Sequence, residues 1–143
     1  MIRIAHRGLH DRPDRPPNSR SAVRAALESS ADGLEVDLQM LGDGRFVLHH
    51  DPRVTPKSSS GPRLLAGMSL QEFRDAYDHE RLTLTDFLDL PGSEKTRILE
   101  CKTHPNRISF ARRLVHRLAE SDKTANLVLS SSDGRILREL HLR

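Results

Sequence analysis

The sequence contains no tryptophan and a single cysteine, and only 3% of its residues are aromatic. The core of this 143-residue chain must therefore be built mainly from leucine, isoleucine, valine and alanine. Cys101 has no partner for an internal disulfide, which fits a reducing compartment. There is no apolar run of membrane-spanning length and no apolar stretch typical of a signal peptide. These absences predict a cytoplasmic protein without a transmembrane segment.

The charge of the chain shows a mild basic excess, with a net charge of +3 and a pI near 9.5. Such an excess suits an anionic substrate. A nucleic-acid-binding surface would instead need clustered basic residues, interleaved with aromatic ones when single strands are bound. Here the arginines are scattered and the aromatic residues are few. The composition therefore argues against nucleic acid as a partner.

Strand-like and helix-like segments alternate along the chain, which is typical of a parallel α/β sheet. A proline-rich loop separates the first two segments, and a second loop rich in proline, serine and glycine covers residues 51–62. We expect the first strand to be buried and see no repeat or linker, so residues 1–143 are predicted to form one domain. The predicted strands cover 2–6, 34–40, 45–49, 97–102 and 127–131; the predicted helices cover 19–30, 69–77, 85–90, 106–120 and 133–140.

Two carboxylates, Glu35 and Asp37, project from the same face of the second predicted strand, because side chains alternate with a period of two. Adjacent carboxylates repel each other unless a cation lies between them or one is protonated. Oxygen ligands of this kind suit magnesium, calcium or manganese rather than zinc. For an isolated pair, a solvated polar face of an edge strand is the ordinary alternative.

Other polar segments follow the ends of the predicted strands. These segments are His6-Arg7-Gly8, His50-Asp51 and Glu100-Cys101-Lys102. Each has an ordinary structural explanation, such as a core histidine, a turn or an ion pair, and Asn18-Ser19 has the form of a helix cap. Their common position is nevertheless informative, because the (β/α)₈ barrel places its active site at the C-terminal ends of its strands.

Taken in order, these segments resemble the motifs of the glycerophosphodiester phosphodiesterase family. That family shows H-R-G, P-E-N-[ST], G-x-E-x-D, H-D and E-[IL]-K on successive barrel strands. Leu82-Thr83-Leu84 and Leu129-Ser130-Ser131 match two further segments, although Ser132 stands where the family usually has phenylalanine. The five principal matches here are His6-Arg7-Gly8, Pro16-Pro17-Asn18-Ser19, Gly33-Leu34-Glu35-Val36-Asp37, His50-Asp51 and Glu100-Cys101-Lys102.

The resemblance implies metal-dependent hydrolysis of a glycerophosphodiester to an alcohol and glycerol 3-phosphate. By their positions in the motifs, Glu35, Asp37 and Glu100 would hold one divalent metal, magnesium or calcium. A metal in such a site neutralises phosphate charge and acts as a Lewis acid.

The same resemblance assigns roles to four further residues. Arg7 and Lys102 would contact the phosphate oxygens as positive charges. His6 and His50 would serve as general acid and base, since imidazole titrates near the working pH. Which histidine is the acid stays open, as does whether water or a substrate hydroxyl attacks.

Two substitutions depart from the family pattern. Pro17 stands where the family has glutamate, so any support that this carboxylate gives the metal site is lost. After His50-Asp51, the family often has a hydrophobic-x-Arg-Thr-Thr run, whereas this chain reads Val54-Thr55-Pro56-Lys57-Ser58-Ser59. Either Lys57 substitutes for the arginine at a shifted position or that contact is missing.

The length of the chain is the third departure. A closed (β/α)₈ barrel needs eight strands and about 250 residues. The resemblance therefore implies an incomplete (β/α)₈ TIM-type barrel, about the first five β/α units. Three interpretations remain open: a fragment, a half-barrel completed by a second copy as a homodimer, or a relative that kept the motifs but lost turnover. The alternative to an active enzyme is a half-barrel that only binds metal and phosphate or assembles with a partner.

Overall fold

The computed structural model describes residues 1–92 and 94–142, and it shows strands and helices alternating along the chain. The strands are β1 (Ile4–His6), β2 (Gly33–Met40), β3 (Phe46–Leu48), β4 (Arg53–Val54), β5 (Arg63–Leu64), β6 (Thr96–Cys101) and β7 (Leu127–Ser130). The helices are α1 (Arg20–Glu28), α2 (Leu70–Asp75), α3 (Leu84–Leu88), α4 (Arg107–Ala119) and α5 (Gly134–His141), with one 3₁₀ turn at Leu65–Gly67.

The main sheet has five strands, of which four are parallel in the order β1-β2-β6-β7. This confirms the predicted α/β class with a parallel sheet. The strand β3 pairs antiparallel with the end of β2, because the chain reverses at a turn in which Gly44 has a φ of +83°. The sheet therefore holds four parallel strands rather than the five β/α units expected, and the described strands do not close into a barrel.

The first strand, β1, was expected to be buried, but it lies at the edge of the sheet and is largely exposed. Its described neighbour is β2, so its other edge has no strand beside it in the described part of the chain. Ile4 is 36% exposed and Ile2, just before the strand, is 80% exposed. The loop after β3 also differs from its prediction, because β4 and β5 pair there as a short antiparallel ribbon.

The helices begin where polar side chains can accept the free backbone N–H groups of the first turn. Ser69 and Glu72 form a capping box at the start of α2, as their spacing in the sequence predicts. A second capping box, made by Thr83 and Asp86, starts α3 one residue earlier than predicted. Ser19 caps α1 by accepting a hydrogen bond from the backbone N–H of Ala22.

The core lies between the sheet and the helices and is mostly aliphatic, as the composition requires. From β2, the side chains of Leu34, Val36 and Leu38 are fully buried in it, so the polar residues of this strand face the other side of the sheet. The buried side of α4 consists of Phe110, Ala111 and Leu114.

The spacing of apolar residues predicts an inner face of α4 made of Ile108, Ala111, Val115 and Leu118, and this prediction is partly wrong. Ile108, expected to point inward, is 49% exposed, and Phe110 is buried in its place. Phe110 packs edge-on against Phe46 of β3, with ring centroids 5.1 Å apart. Along this helix, burial of a large aromatic ring outweighs burial of the isoleucine. Among the described helices, none is both long enough and apolar enough to cross a membrane.

Candidate active site

Three carboxylates come together on the polar face of two neighbouring parallel strands. Glu35 and Asp37 lie on β2, and Glu100 lies directly opposite Asp37 in the register of β6. One carboxylate oxygen from each residue lies within 4.8 Å of the others. Cys101 points to the opposite, core side, where burial raises the pKa of its thiol to about 12 and keeps it unreactive.

The carboxylate of Asp37 is fully buried yet surrounded by donors and cations. Lys102 Nζ lies 2.7 Å from its Oδ1, and Arg7 Nε lies 3.1 Å from its Oδ2. Asn18 Nδ2 also donates to Oδ2, at 2.7 Å. Burial alone would raise the pKa of Asp37, but the hydrogen bonds from Lys102 and Asn18, together with the charge of Arg7, hold it below the ordinary value. Asp37 is therefore an anion at neutral pH.

The carboxylate of Glu35 is only partly satisfied by the protein. Its Oε2 accepts a hydrogen bond of 3.2 Å from the backbone N–H of Arg7 and lies 3.8 Å from His6 Nε2. Its Oε1 is buried and has no hydrogen-bond partner among the described residues. Burial and the neighbouring charge of Asp37 raise the pKa of Glu35. An uncompensated buried carboxylate of this kind is costly unless a cation is bound beside it.

The oxygen atoms that converge on the site indicate which kind of metal ion it could bind. Three carboxylates in reach of one point, with an unpartnered Oε1 on Glu35, form the oxygen-rich environment that magnesium and calcium prefer. Lys102 bridges two of them, since its Nζ is also 2.8 Å from Glu100 Oε2. Each carboxylate has about four lone-pair sites, so both oxygens of Asp37 can accept from protein donors and still bind an ion. The residues present fit a hard divalent cation.

The two histidines singled out in the sequence are held differently. His6 lies opposite Glu35 in the β1–β2 register, and its side chain is 64% exposed. His50 follows β3, and its Nδ1 is 2.7 Å from Asp51 Oδ1. Within the described ranges, no hydrogen bond or ion pair joins His50 to the three carboxylates.

Gln39 connects His50 to the strand that carries the acidic residues. Its Nε2 donates a 2.9 Å hydrogen bond to the backbone carbonyl of His50, and its side chain is almost fully buried. Gln39 continues the face of Glu35 and Asp37, so the same period of two could have indicated it.

Asn18 contacts the carboxylate of Asp37 and does not serve as the helix cap. Ser19, not Asn18, caps the helix. Asn18 is buried, adopts a left-handed φ of 61° and exchanges two hydrogen bonds with Asp37. Asparagine is among the few non-glycine residues that tolerate this conformation.

The turn after β1 aims the backbone at Glu35. Arg7 has a φ of 57° and Gly8 a φ of 80°, so two successive residues are left-handed. A Cβ atom on Gly8 would lie 2.7 Å from the carbonyl carbon of Ala22. Both backbone conformation and close packing therefore require glycine here.

The two departures from the family motifs have different surroundings. Pro17 offers only its carbonyl, which accepts a 2.6 Å hydrogen bond from Arg81 Nη1. Lys57 pairs with Asp78 on the segment after α2. The described contacts thus give Lys57 no place beside the carboxylates.

Comparison with known proteins identifies the family. The sequence model of the glycerophosphoryl diester phosphodiesterase family matches residues 6–141. The chain therefore belongs to this family of enzymes, as the motifs predicted. A glycerophosphodiester phosphodiesterase from Caldanaerobacter subterraneus subsp. tengcongensis is 28% identical over 152 aligned residues, which cover 96% of this chain and 60% of that protein.

Solved structures agree in fold. A glycerophosphodiester phosphodiesterase from Thermotoga maritima superimposes with a TM-score of 0.77 at 22% identity, covering 99% of this chain and 58% of that one. An Oleispira antarctica phosphodiesterase in complex with sn-glycerol-3-phosphate gives a TM-score of 0.75 at 18% identity, covering 99% and 62%. The chain thus spans about three fifths of the length of these relatives.

Proposed function

We propose that this chain carries the catalytic groups of a metal-dependent glycerophosphodiester phosphodiesterase. The products would be an alcohol and glycerol 3-phosphate. The observation that carries the proposal is the group of three carboxylates, in which Glu35 Oε1 is buried without a partner and Arg7 and Lys102 supply positive charge. The family of the chain and the glycerol 3-phosphate complex of the Oleispira phosphodiesterase support this substrate class.

Glu35, Asp37 and Glu100 would hold the divalent cation, magnesium or calcium. When bound, this ion would neutralise phosphate charge and polarise the phosphorus–oxygen bond. Arg7 and Lys102 lie on either side of Asp37 and would bind the phosphate oxygens. The pKa of Lys102 is raised, because its hydrogen bonds to the two carboxylates outweigh the effect of burial, so its ammonium stays charged.

The histidines would divide the proton transfers between them. With Asp51 accepting from Nδ1, the Nε2 atom of His50 is free to take a proton from the attacking hydroxyl group. His6 would then give its proton to the leaving alkoxide as the phosphorus–oxygen bond breaks. Attack by water yields glycerol 3-phosphate directly, whereas attack by the neighbouring glycerol hydroxyl gives a cyclic phosphate that water must open.

The test is release of glycerol 3-phosphate from glycerophosphocholine in the presence of magnesium, calcium or manganese. Glu35→Gln and His6→Ala should each abolish release, while Glu28→Gln, on the exposed end of α1, should leave it unchanged. If the folded chain shows no turnover with any of the three ions, it is not an active phosphodiesterase by itself.

A binding-only function is the second candidate, and it is favoured by Pro17, which stands where the family has glutamate. Calorimetry that detects metal binding without hydrolysis would support it. Two copies could also complete one barrel through β1 and β7, which lie at the two ends of the strand order and have no further strand beside them in the described part of the chain. We propose this homodimer as the assembly to test, and a monomeric molar mass in solution would contradict it. A cytoplasmic location stays a prediction of the sequence.

A further inference from the structure

A short backbone pairing joins the motif around Asn18 to the segment that precedes α3. Ser19 and Arg81 form an isolated antiparallel bridge, and the backbone N–H of Arg20 donates 3.2 Å to the carbonyl of Glu80. The two segments are about sixty residues apart in sequence. Arg81 therefore contacts the motif around Asn18 from the residue just before Leu82-Thr83-Leu84.

The peptide group between Pro17 and Asn18 is held at both of its polar atoms. Its carbonyl oxygen accepts a 2.6 Å hydrogen bond from Arg81 Nη1. Its N–H, on Asn18, donates 3.0 Å to the backbone carbonyl of Arg7. Rotation of this peptide plane would break both hydrogen bonds, so they restrain it.

The groups attached to this peptide hold the proposed metal ligands. Asn18 exchanges two hydrogen bonds with Asp37, of 2.7 Å and 3.1 Å. Arg7 donates its backbone N–H to Glu35 and places its Nε 3.1 Å from Asp37. Rotation of the peptide would therefore disturb two of the three carboxylates.

The side chain of Arg81 is held by stacking on the Tyr77 ring rather than by an ion pair with a carboxylate. Its guanidinium carbon lies 4.3 Å from the centroid of the Tyr77 ring, and the Tyr77 hydroxyl is 3.2 Å from the imidazole of His49. No carboxylate forms an ion pair with Arg81 among the described residues. Its Nε is buried without a hydrogen-bond partner. The half-buried guanidinium is thus held by an aromatic ring on one side and by one backbone carbonyl on the other.

We propose that Arg81 is a positioning residue for the metal site, acting through the Pro17–Asn18 peptide on Asn18 and Asp37. This inference rests on the proposed function, because it assumes that the three carboxylates bind a divalent cation. Outer partners of metal ligands commonly change metal affinity by about 10–100-fold when they are removed. Arg81 would act less directly, because it bonds to the Pro17 carbonyl and Asn18 in turn bonds to the proposed ligand Asp37.

The test is calorimetric titration of the whole chain with Ca²⁺ and with Mn²⁺. Arg81→Met keeps much of the length of the side chain but removes its donors. It should lower the affinity for both ions by about tenfold. Arg81→Lys can still donate to the Pro17 carbonyl and should recover most of the affinity. The matched control is Arg20→Met, which breaks the 2.7 Å ion pair with Glu80 in the same backbone pairing but has no bond to Pro17. It should bind like the unmodified chain.

The outcomes separate the two proposals. If the unmodified chain binds neither ion, both are overturned. If it binds, and Arg81→Met binds equally well while Asn18→Ala is weakened, the positioning role of Arg81 alone is overturned. Equal losses in Arg81→Met and Arg20→Met would show that any loosening of this pairing has the same effect and would likewise contradict the role. If Arg81→Met does not fold, Arg81→Ala, which also lacks a donor, takes its place under the same criteria.

Discussion

Asn18 and Asp37 hold each other through two reciprocal hydrogen bonds across the interior of the protein. Asn18 Nδ2 donates to Asp37 Oδ2 at 2.7 Å, and the backbone N–H of Asp37 donates to Asn18 Oδ1 at 3.1 Å. One amide side chain thus fixes both the carboxylate and the strand that carries it. The arrangement also explains why the residue before the helix cap is buried and left-handed.

Replacing Asn18 with alanine should lower both stability and metal affinity. The change leaves the backbone N–H of Asp37 without a partner and leaves Oδ2 with only the Arg7 ion pair. The loss of such a partner typically costs about 1–3 kcal/mol. We expect a lower denaturation midpoint and weaker Mn²⁺ binding. Asn106→Ala is the control, because Asn106 caps α4 by accepting from Ser109. It should cost about 1 kcal/mol and leave metal binding unchanged; equal metal binding by both variants would contradict the assigned role of Asn18.

Replacing Glu35 with glutamine should separate stability from metal binding. The pKa of Glu35 is raised by burial and by the charge of Asp37, so ionised Glu35 disfavours the metal-free fold. Without metal, Glu35→Gln should be as stable as the parent chain or more stable, and the stabilisation that added Ca²⁺ gives the parent should disappear. Thermal denaturation with and without Ca²⁺ measures both effects. A large loss of stability without metal would refute this account.

Gly8→Ala should strongly destabilise the fold. The new Cβ would meet the backbone of Ala22 at 2.7 Å, and the φ of 80° costs a non-glycine residue about 1–2 kcal/mol before that clash is counted. Gly134→Ala is the matched control, since Gly134 opens α5 and has no atom within 4 Å of its Cβ position. We expect it to be neutral or stabilising in urea denaturation. Similar losses in both variants would contradict the packing argument.

His49 should make the protein sensitive to mild acid. Burial, followed by the positive charge of Arg81, lowers the pKa of His49 from 6.5 to about 4 in the folded protein. The unfolded chain therefore binds a proton at higher pH than the folded one, so the stability due to neutral His49 is complete above pH 6.5. It should decline as the pH falls from 6.5 to about 4, by on the order of 3 kcal/mol. Urea denaturation at several pH values measures the free energy of unfolding, which should fall less steeply with decreasing pH in His49→Gln than in the parent chain. Equal pH dependence in the two proteins would contradict the prediction.

Local patterns along the chain were sufficient to predict most secondary structure. The period of two in β2, the capping box of α2 and the alternation of strands and helices depend on neighbours within a few residues. The face of α4 was less accurately predicted because Ile108 and Phe110 compete for burial, and only the position of Phe46 decides between them. The β4–β5 ribbon was missed because two-residue strands give almost no periodic signal.

By itself, the sequence determined the family, the four-residue motif around Asn18 and the acidic face of β2, because each of these is a matter of residue type and spacing. Only the tertiary structure decided which donors surround each carboxylate. Glu35 and Asp37 are two residues apart on one strand, yet the pKa of Glu35 is raised and the pKa of Asp37 is lowered. Each oxygen of Asp37 has a lysine or arginine nitrogen within 3.1 Å, whereas Glu35 has neither cation beside it. The difference comes from Lys102, Asn18 and Arg7, which reach Asp37 from other segments of the chain. Burial and charge depend on such contacts rather than on sequence spacing.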